Sequence, residues 1–211
     1  MADTLDVLTL AEGKVAVGID SADTSQDTPL AAKITAVSRR LDQLVGPIVR
    51  RTVTGEVHEG GRCEIKVRRY PVYSFTTVTE YSATTATVLT AEDYDTQPAD
   101  AYWAEPWHTS TAVYSGCVHR RSGGWSHVFP WGPEAVRVTY VAGRYADTAS
   151  VDPMFKDAAA IMLKNSWRPL EAATQLVGEF DVPAQNFPRF GVPNYVRDLL
   201  AEEWVELPGI A

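Results

Sequence analysis

The spacing of the hydrophobic residues changes twice along this chain, and that change constrains the fold more than any other feature. Over residues 29–45 the apolar residues recur at helical spacing and share one face. From residue 48 to residue 143 the period becomes two, and β-branched and aromatic residues dominate. From residue 153 the helical spacing returns. The order of helices, strands and helices predicts an α+β fold.

Local signals place the two N-terminal helices. Thr9 and Glu12 have the spacing of a capping box and Gly18 can end a helix, so a short helix is predicted over 10–17. Thr28 and Pro29 fit the N-cap and first position of a second helix. That helix is predicted over 29–45, because Gly46-Pro47 ends the apolar pattern.

The central region contains six strand-like runs separated by turn signals. The turns are expected at 59–61, 70–71, 97–98 and 122–124, where glycine or proline supplies the backbone conformation of a tight connection. No helical pattern lies between the runs, which favours hairpins and a meander over parallel crossovers. The predicted strands are 49–57, 63–67, 72–81, 85–90, 111–120 and 135–141.

The C-terminal region begins with Asp152 and Pro153, which fit an N-cap and first helical position. The helix that follows is predicted to end at Pro169. Residues 180–193 alternate prolines with aromatic residues and indicate an extended arm, and a last short helix is predicted over about 194–204.

These elements predict a small helical bundle formed by the N- and C-terminal helices, with a large antiparallel β insertion between them. The helical core comprises 1–47 and 144–179, the β-rich insertion 48–143, and the C-terminal arm with its short helix 180–211. At 211 residues the chain is long enough to bury its own core.

The charge of the chain is acidic overall but unevenly distributed. The formal net charge is -8, which works against tight binding of a phosphate backbone. Residues 33–69 hold nine basic and four acidic side chains, whereas residues 179–206 hold six acidic and two basic ones. The asymmetry fits either two solvated surfaces or head-to-tail self-association. For the second case the expected contact residues are Arg39, Arg40, Arg50 and Arg51.

The residue types that bind metals do not occur in a metal-binding pattern. His58, His108, His119 and His127 lack the spacing of a zinc or catalytic site. A calcium loop starting at Asp20 would need glycine at its sixth position and glutamate at its twelfth, and neither is present. No metal and no cofactor is therefore predicted.

Cys63 and Cys117 lie far apart and are predicted to be buried free thiols. The sequence has neither a signal peptide pattern nor an apolar stretch of membrane-spanning length, so a protein made in a reducing cytoplasm is expected.

An acidic run near tryptophans is the one arrangement that could belong to an enzyme. Residues 92–95 contain three carboxylates, and Asp100 and Glu105 follow near Trp103 and Trp107, as in an aromatic sugar cleft with paired carboxyls. Turn-rich β segments also collect such residues. The wider aromatic cluster fits either a contact surface or core packing; it comprises Tyr102, Trp103, Trp107, Tyr114, Trp125, Phe129 and Trp131. No catalytic motif is present, so the protein is predicted not to be an enzyme.

Several stretches resemble the head–tail connector (adaptor) proteins of long-tailed bacteriophages, especially those of actinobacterial hosts. They are 30–42 with 46–51, 136–145, 155–159 and 167–169. The resemblance implies a virion protein of the neck that forms a ring, typically of twelve subunits, under the portal protein and above a tail-side connector or stopper. Double-stranded DNA would pass through the ring without sequence-specific binding. Assembly in the host cytoplasm, without any membrane contact, is expected.

The resemblance also implies that the C-terminal segment reaches the portal. The expected docking residues are Phe180, Phe187, Phe190, Tyr195, Leu199 and Trp204. The long β insertion departs from the shortest members of the family, which are nearly all helical. The alternatives are another tail or baseplate ring component, a carbohydrate-binding β domain and, last, a glycosidase.

Overall fold

The computed structural model describes residues 3–93, 95–107, 110–175 and 192–203. The chain divides into two compact units. We call the unit made of 1–49 with 145–211 the helical unit, and the unit made of 50–144 the β unit. The fold is α+β, as the two changes of hydrophobic period predicted.

The helical unit is built from α1 (Leu10–Val17), α2 (Asp27–Val45), α3 (Pro153–Gln175) and α4 (Asn194–Leu199), with short 3-10 turns at 148–150 and 201–203. Its core comes from one face of each longer helix, as the spacing predicted. The fully buried side chains at its centre include Leu30, Ile34, Leu41, Phe155, Leu163, Val196 and Leu200.

The first helix follows its local signals. The Thr9 hydroxyl accepts the Glu12 N–H at 3.2 Å, and the Glu12 carboxylate accepts the Thr9 N–H at 2.8 Å, which completes the capping box. Gly18 ends the helix in the left-handed conformation with φ 78°. A Cβ atom on Gly13 would lie 2.5 Å from the Ile34 side chain, so this glycine lets α1 approach α2 closely.

Two predicted helix boundaries are wrong. The second helix begins at Asp27 with Gln26 as N-cap, and no side chain caps it. Asp27 is held there because its carboxylate pairs with the Lys14 ammonium at 2.7 Å and lies at the positive end of the helix dipole. The third helix continues through Pro169 to Gln175. A proline removes one helical hydrogen bond, and Trp167, only 4% exposed, packs the preceding turn onto the core.

The β unit contains eight strands. They are β1 (Arg51–His58), β2 (Glu64–Lys66), β3 (Val72–Ser82), β4 (Thr85–Ala91), β5 (Ala101–Trp107), β6 (Ser110–Ser122), β7 (Trp125–Ser126) and β8 (Val136–Ala142). The six predicted runs correspond to six of these strands. The sequence did not predict β5, which contains Pro106, or β7, which has two residues.

The sheet is more complex than a meander. Its strand order is β1-β8-β3-β4-β5-β6-β2, with β7 on β6, and β3 also pairs with β6 at Val72 and Tyr114. The pairings β3–β4, β5–β6 and β6–β7 are antiparallel hairpins, and only the first of them joins two predicted strands. The β4–β5 pairing is parallel and is the exception among the described strand pairings, which are otherwise antiparallel as predicted.

Aromatic rings fill the interior between the paired strands. The Phe75 ring centroid lies 6.0 Å from that of Tyr102, 5.8 Å from that of Tyr114 and 6.1 Å from that of Tyr140. These distances are in the range of favourable aromatic contacts. No helix in the described part of the chain is long and apolar enough to cross a membrane.

One buried ion pair joins the strands of the β unit. Arg120 on β6, 3% exposed, donates from Nε and Nη2 to the two Glu80 carboxylate oxygens at 2.8 and 2.9 Å. Its Nη2 also donates to Asp100 at 3.0 Å, and its Nη1 to the carbonyls of Ala99, Ala101 and Arg121. All three guanidinium nitrogens are therefore engaged, which is the condition under which a buried charge is tolerated.

Replacing Arg120 by methionine should destabilise the β unit strongly, because Glu80 would remain as a buried carboxylate without its partner. We expect a loss of about 3–5 kcal/mol in the free energy of unfolding, measured by urea denaturation. The double variant R120M/E80Q should recover part of that loss. A loss below about 1 kcal/mol for R120M would contradict the structural role given to this pair.

Candidate interaction surfaces

The four arginines expected at a subunit contact are divided between the two units. Arg39 and Arg40 lie on α2; Arg39 is exposed, and Arg40 is half-buried and donates to the Gln43 side chain at 3.1 Å. Arg50 and Arg51 belong to the β unit and are half-buried. Arg39 is the most solvent-accessible of the four.

Arg50 already has partners inside its own chain. Its guanidinium carbon lies 3.3 Å from the centroid of the Tyr73 ring, a cation–π contact, and Nη2 donates to the Arg144 carbonyl at 3.1 Å. Arg51 pairs with Ala142 in the β1–β8 ladder.

The C-terminal segment is described only over 192–203. Val196 and Leu200 are fully buried in the core of the helical unit, and Leu199 packs partly against that core. Tyr195 points away from it and is 59% exposed. The other residues of the expected docking arm, Phe180, Phe187, Phe190 and Trp204, lie outside the described residues.

The aromatic cluster of the β unit contains both core and surface residues. Tyr102, Trp107 and Phe129 are buried, at 7%, 8% and 1% exposure. In contrast, Trp103 is 40%, Trp125 80% and Trp131 85% exposed. A tryptophan this exposed buries little apolar surface within its own chain, so the last two are candidates for contact with a partner.

The acidic run forms structural contacts. Glu92, whose side chain is 8% exposed, pairs with Arg121 Nε at 3.3 Å. Asp93 Oδ1 accepts the backbone N–H groups of Asp95 and Thr96 at 3.0 and 2.6 Å, which fixes the turn after β4. Tyr94 lies outside the described residues.

The remaining carboxylates near the tryptophans also have partners. Asp100 accepts from Arg120, and Glu105 accepts from the Ser115 hydroxyl at 2.7 Å. Trp107 faces inward because the β5–β6 register shifts at Pro106, so it does not share a surface with Trp103.

A hollow of about 470 Å³ nevertheless brings part of the acidic run and one tryptophan together. Its lining consists of Glu92, Asp93, Gln97, Trp103 and Arg121. The sequence identified Glu92, Asp93 and Trp103 as neighbours. It did not identify Arg121, because the pairing of β5 with β6 brings this residue to the site from outside the run.

A lysine holds the aspartate-rich loop that superficially resembles a calcium loop. Lys14 Nζ, on a side chain that is 7% exposed, donates to the carbonyls of Ser21 and Asp23 at 3.2 and 2.7 Å and pairs with Asp27. An internal ammonium group therefore binds the oxygens of this loop. Among the described residues, no three His, Cys, Asp or Glu side chains are arranged to hold a metal ion.

Two of the four histidines contact a carboxylate or an aromatic ring. His58 Nε2 lies 2.8 Å from Glu56 Oε1, and the His119 ring lies 5.2 Å from the Trp103 ring, centroid to centroid. His127 is exposed, and His108 lies outside the described residues.

The prediction of buried thiols is wrong for Cys63, which is exposed because it precedes the three-residue edge strand β2. Cys117 is half-buried, and burial raises the pKa of its thiol.

Glu56 on β1 is the centre of a second polar network. Its carboxylate, on a side chain 6% exposed, accepts the Tyr140 hydroxyl at 2.7 Å and the Arg68 N–H at 2.8 Å, beside His58. Burial by itself raises the pKa of Glu56, but the hydrogen bonds from His58, Tyr140 and Arg68 outweigh it and leave the pKa below its ordinary value. Burial and this carboxylate together raise the pKa of Tyr140.

Comparison with known proteins gives a likeness of fold. No family model matches the sequence, and no curated protein matches it. A chain from the neck of an empty gene transfer agent (GTA) particle, a structure computed with C6 symmetry, has a TM-score of 0.53 at 17% identity, over 97% of this chain and 94% of that one. At this identity the likeness shows that the two chains share a fold.

Two further solved structures are less similar. A chain from the virion of a native gene transfer agent particle has a TM-score of 0.49 at 17% identity, over 97% of this chain and 92% of that one. A chain from the neck of the native GTA particle, computed with C12 symmetry, has a TM-score of 0.44 at 16% identity and full coverage of both chains.

The Glu56 network predicts a pH dependence of stability. Because the folded-state pKa lies below the ordinary value of 4.5, the ionised carboxylate stabilises the fold above that value, and this stability is lost as the pH falls through the folded-state pKa. Glu56→Gln should lower the free energy of unfolding by about 1–3 kcal/mol at pH 7. The difference from the wild type should narrow towards pH 3, as measured by urea denaturation at each pH.

The control is Glu59→Gln at an exposed glutamate next to the same strand, which should leave the curve unchanged. A constant difference between E56Q and wild type from pH 7 to pH 3 would contradict the electrostatic explanation.

Proposed function

We propose that this chain is a structural subunit of the neck of a tailed, phage-like particle, where it forms a ring between the portal and the tail. The observation that carries the proposal is the shared fold with a neck chain, which extends over 97% of this chain and 94% of that one and so includes both units. Coverage of both units supports a common role better than a match to the β unit alone would.

The finer features of the proposal follow from the resemblance to phage connector proteins. They are a ring of about twelve copies in the virion neck, assembled in the host cytoplasm, with the portal protein on one side and a connector or stopper on the tail side. The net charge of -8 supports a channel through which double-stranded DNA passes without being held. The intrachain partners of the carboxylates in the hollow support a structural role rather than catalysis.

The charges suggest where neighbouring copies meet. The basic side chains Arg39 and Arg40 on α2, together with Arg50 and Arg51, would face the acidic C-terminal segment of the adjacent subunit. Within the described part of that segment, Asp198 and Glu202 are exposed. Arg39 is the strongest candidate, since Arg50 already contacts Tyr73 and Arg144.

Ring formation tests the proposal. The purified full chain at rising concentration should form closed rings visible by negative-stain electron microscopy. Arg39→Glu should weaken assembly about tenfold at low salt, and less at 0.5 M salt, because rim ion pairs are screened. Lys164→Glu, at an exposed lysine on α3, is the matched control and should assemble normally.

If the protein stays monomeric alone and in the presence of portal rings, the proposed function is wrong. Unchanged assembly of R39E at low salt would remove only the proposed arginine contact.

Portal docking through the C-terminal segment is tested best by a point substitution. Removing the segment would also remove Val196 and Leu200 from the core of the helical unit. Tyr195→Asp changes an exposed side chain and should weaken binding to portal rings about tenfold or more in a co-sedimentation assay.

The matched control for Tyr195→Asp is Asn194→Ala, at the exposed neighbouring residue. Equal portal binding by Y195D and wild type would contradict docking through Tyr195. Rings that do not bind the portal at all would favour the alternative of another tail or baseplate ring component.

A further inference from the structure

Trp131 protrudes from the β unit on a loop that the fold holds in place. Phe129, two residues earlier, is only 1% exposed and anchors the loop in the core. The Gly60 N–H donates to the Gly132 carbonyl at 3.0 Å, and the Gly61 N–H donates to the Phe129 carbonyl at 3.0 Å. The loop 129–132 is thereby fixed to the turn 60–62 at both ends.

The glycines of that turn allow the loop to come this close. A Cβ atom on Gly60 would lie 1.8 Å from the Pro130 carbonyl oxygen, so no other residue fits there. A Cβ atom on Gly61 would lie 3.0 Å from the Trp131 ring, which shows that the indole rests on this backbone. A tryptophan held in this way loses little conformational freedom on binding, and tryptophan is enriched among residues that dominate interfaces.

The hollow described above and the Trp131 loop lie at opposite edges of β6. One edge of β6 pairs with β5, which carries Trp103, and the other edge pairs with β2 and β7, which lead to the turn 60–62 and to the Trp131 loop. The protruding indole and the hollow are therefore on opposite sides of one strand. A projection and a recess at different places on one subunit can form a head-to-tail contact between identical copies, which closes into a ring if the rotation allows.

The hollow contains an acceptor without a donor. Glu92 Oε1 pairs with Arg121, but Glu92 Oε2 has almost no solvent-accessible surface and no hydrogen-bond partner among the described residues, so a donor in the hollow reaches it only when the Glu92 side chain turns outward. A buried carboxylate oxygen of this kind is costly unless a donor reaches it. The indole Nε1–H is a donor only, so a tryptophan entering the hollow supplies both apolar surface against Trp103 and the missing hydrogen bond.

We infer that Trp131 of one copy inserts into the hollow of the next copy, where it packs against Trp103, and that the Glu92 side chain turns towards it so that Oε2 accepts from the indole Nε1–H. The inference rests on the proposed ring and identifies a contact that holds neighbouring copies together. The loop is flanked by charges of both signs. Exposed Arg62 and exposed Glu59 belong to the segment that holds the loop, and exposed Glu134 follows the loop in the sequence. The contact therefore depends on apolar burial and, unlike the Arg39 contact, changes little with salt.

Self-association of the full chain, measured by sedimentation velocity over a range of concentrations, tests the contact. Trp131→Ala should weaken association at least about thirtyfold, and Trp131→Phe, which keeps the ring but removes the N–H, about tenfold. Trp125→Ala is the matched control, because Trp125 is 80% exposed in the same unit but is not on the pinned loop. Equal loss in W125A and W131A would mean general aromatic adhesion and would overturn the inference.

A photo-crosslink locates the contact independently of affinity. Benzoylphenylalanine at position 131, in a mixture of isotope-labelled and unlabelled protein, should form cross-links between copies that map to residues 92–103. Cross-links that map elsewhere, form only within one chain or do not form at all overturn the inference.

The outcomes separate this contact from the proposed function. Rings that form while the cross-links map elsewhere leave the neck proposal standing and remove only the Trp131 contact. A monomer that forms neither rings nor cross-links removes both. Binding of an oligosaccharide that is lost in Trp103→Ala, without cross-links between copies, would assign the hollow to a sugar and also overturn the inference.

Discussion

The buried Arg120–Glu80 pair is the interaction on which the architecture of the β unit depends. The Arg120 side chain bonds to β3 through Glu80, and to the start of β5 through Asp100 and the carbonyls of Ala99 and Ala101. Its backbone adds two more links, since its N–H donates to the Cys63 carbonyl and its carbonyl accepts from the His127 N–H. One residue thus fixes the strands that border both the hollow and the Trp131 loop.

A charge at this position gives the sheet a specific register at an energetic cost. A well-packed apolar pair of similar volume would often be as stable, because desolvating two charges offsets much of their attraction. An apolar pair would, however, tolerate a shifted strand, whereas the fork of Arg120 matches the Glu80 carboxylate in one alignment only. The alignment that Arg120 imposes matters for the pairing of β4 with β5, because only two parallel residue pairs join these two strands.

The sequence predicted the features that depend on neighbouring residues. The helical spacing located α2, α3 and α4, and the capping box of Thr9 and Glu12 together with Gly18 located α1. Local signals gave the wrong helix boundary where contacts within the folded chain determine it. Asp27 is in the second helix because it pairs with Lys14, and the third helix continues past Pro169 because Trp167 packs into the core. The strand β5 was missed because Pro106 argues against a strand, although a shift of register at that point accommodates it.

In the candidate sites, too, the sequence predicted only the contacts between residues that are close together in the chain. The acidic run and Trp103 could be recognised as neighbours because they are close in sequence, but Arg121 reaches them only through strand pairing. The Glu80–Arg120 pair spans 40 residues and carries no local signal. The sequence also could not predict that Trp107 is buried and Trp131 exposed. The burial of Trp107 depends on a register shift between β5 and β6, and the exposure of Trp131 depends on the turn 60–62 that holds its loop.

The placement of the protruding indole and the hollow within one compact unit has a consequence for assembly. The Trp131 contact would involve the β unit alone, because both of its halves are fixed to β6 and its neighbours. A contact of this kind needs no particular arrangement of the helical unit, whose exposed Tyr195 is then available for another partner, while exposed Arg39 would add a second, salt-sensitive contact between copies. Rigid, apolar contacts between copies and separate polar or aromatic contacts to other proteins would let one subunit hold a ring closed while its neighbours above and below differ.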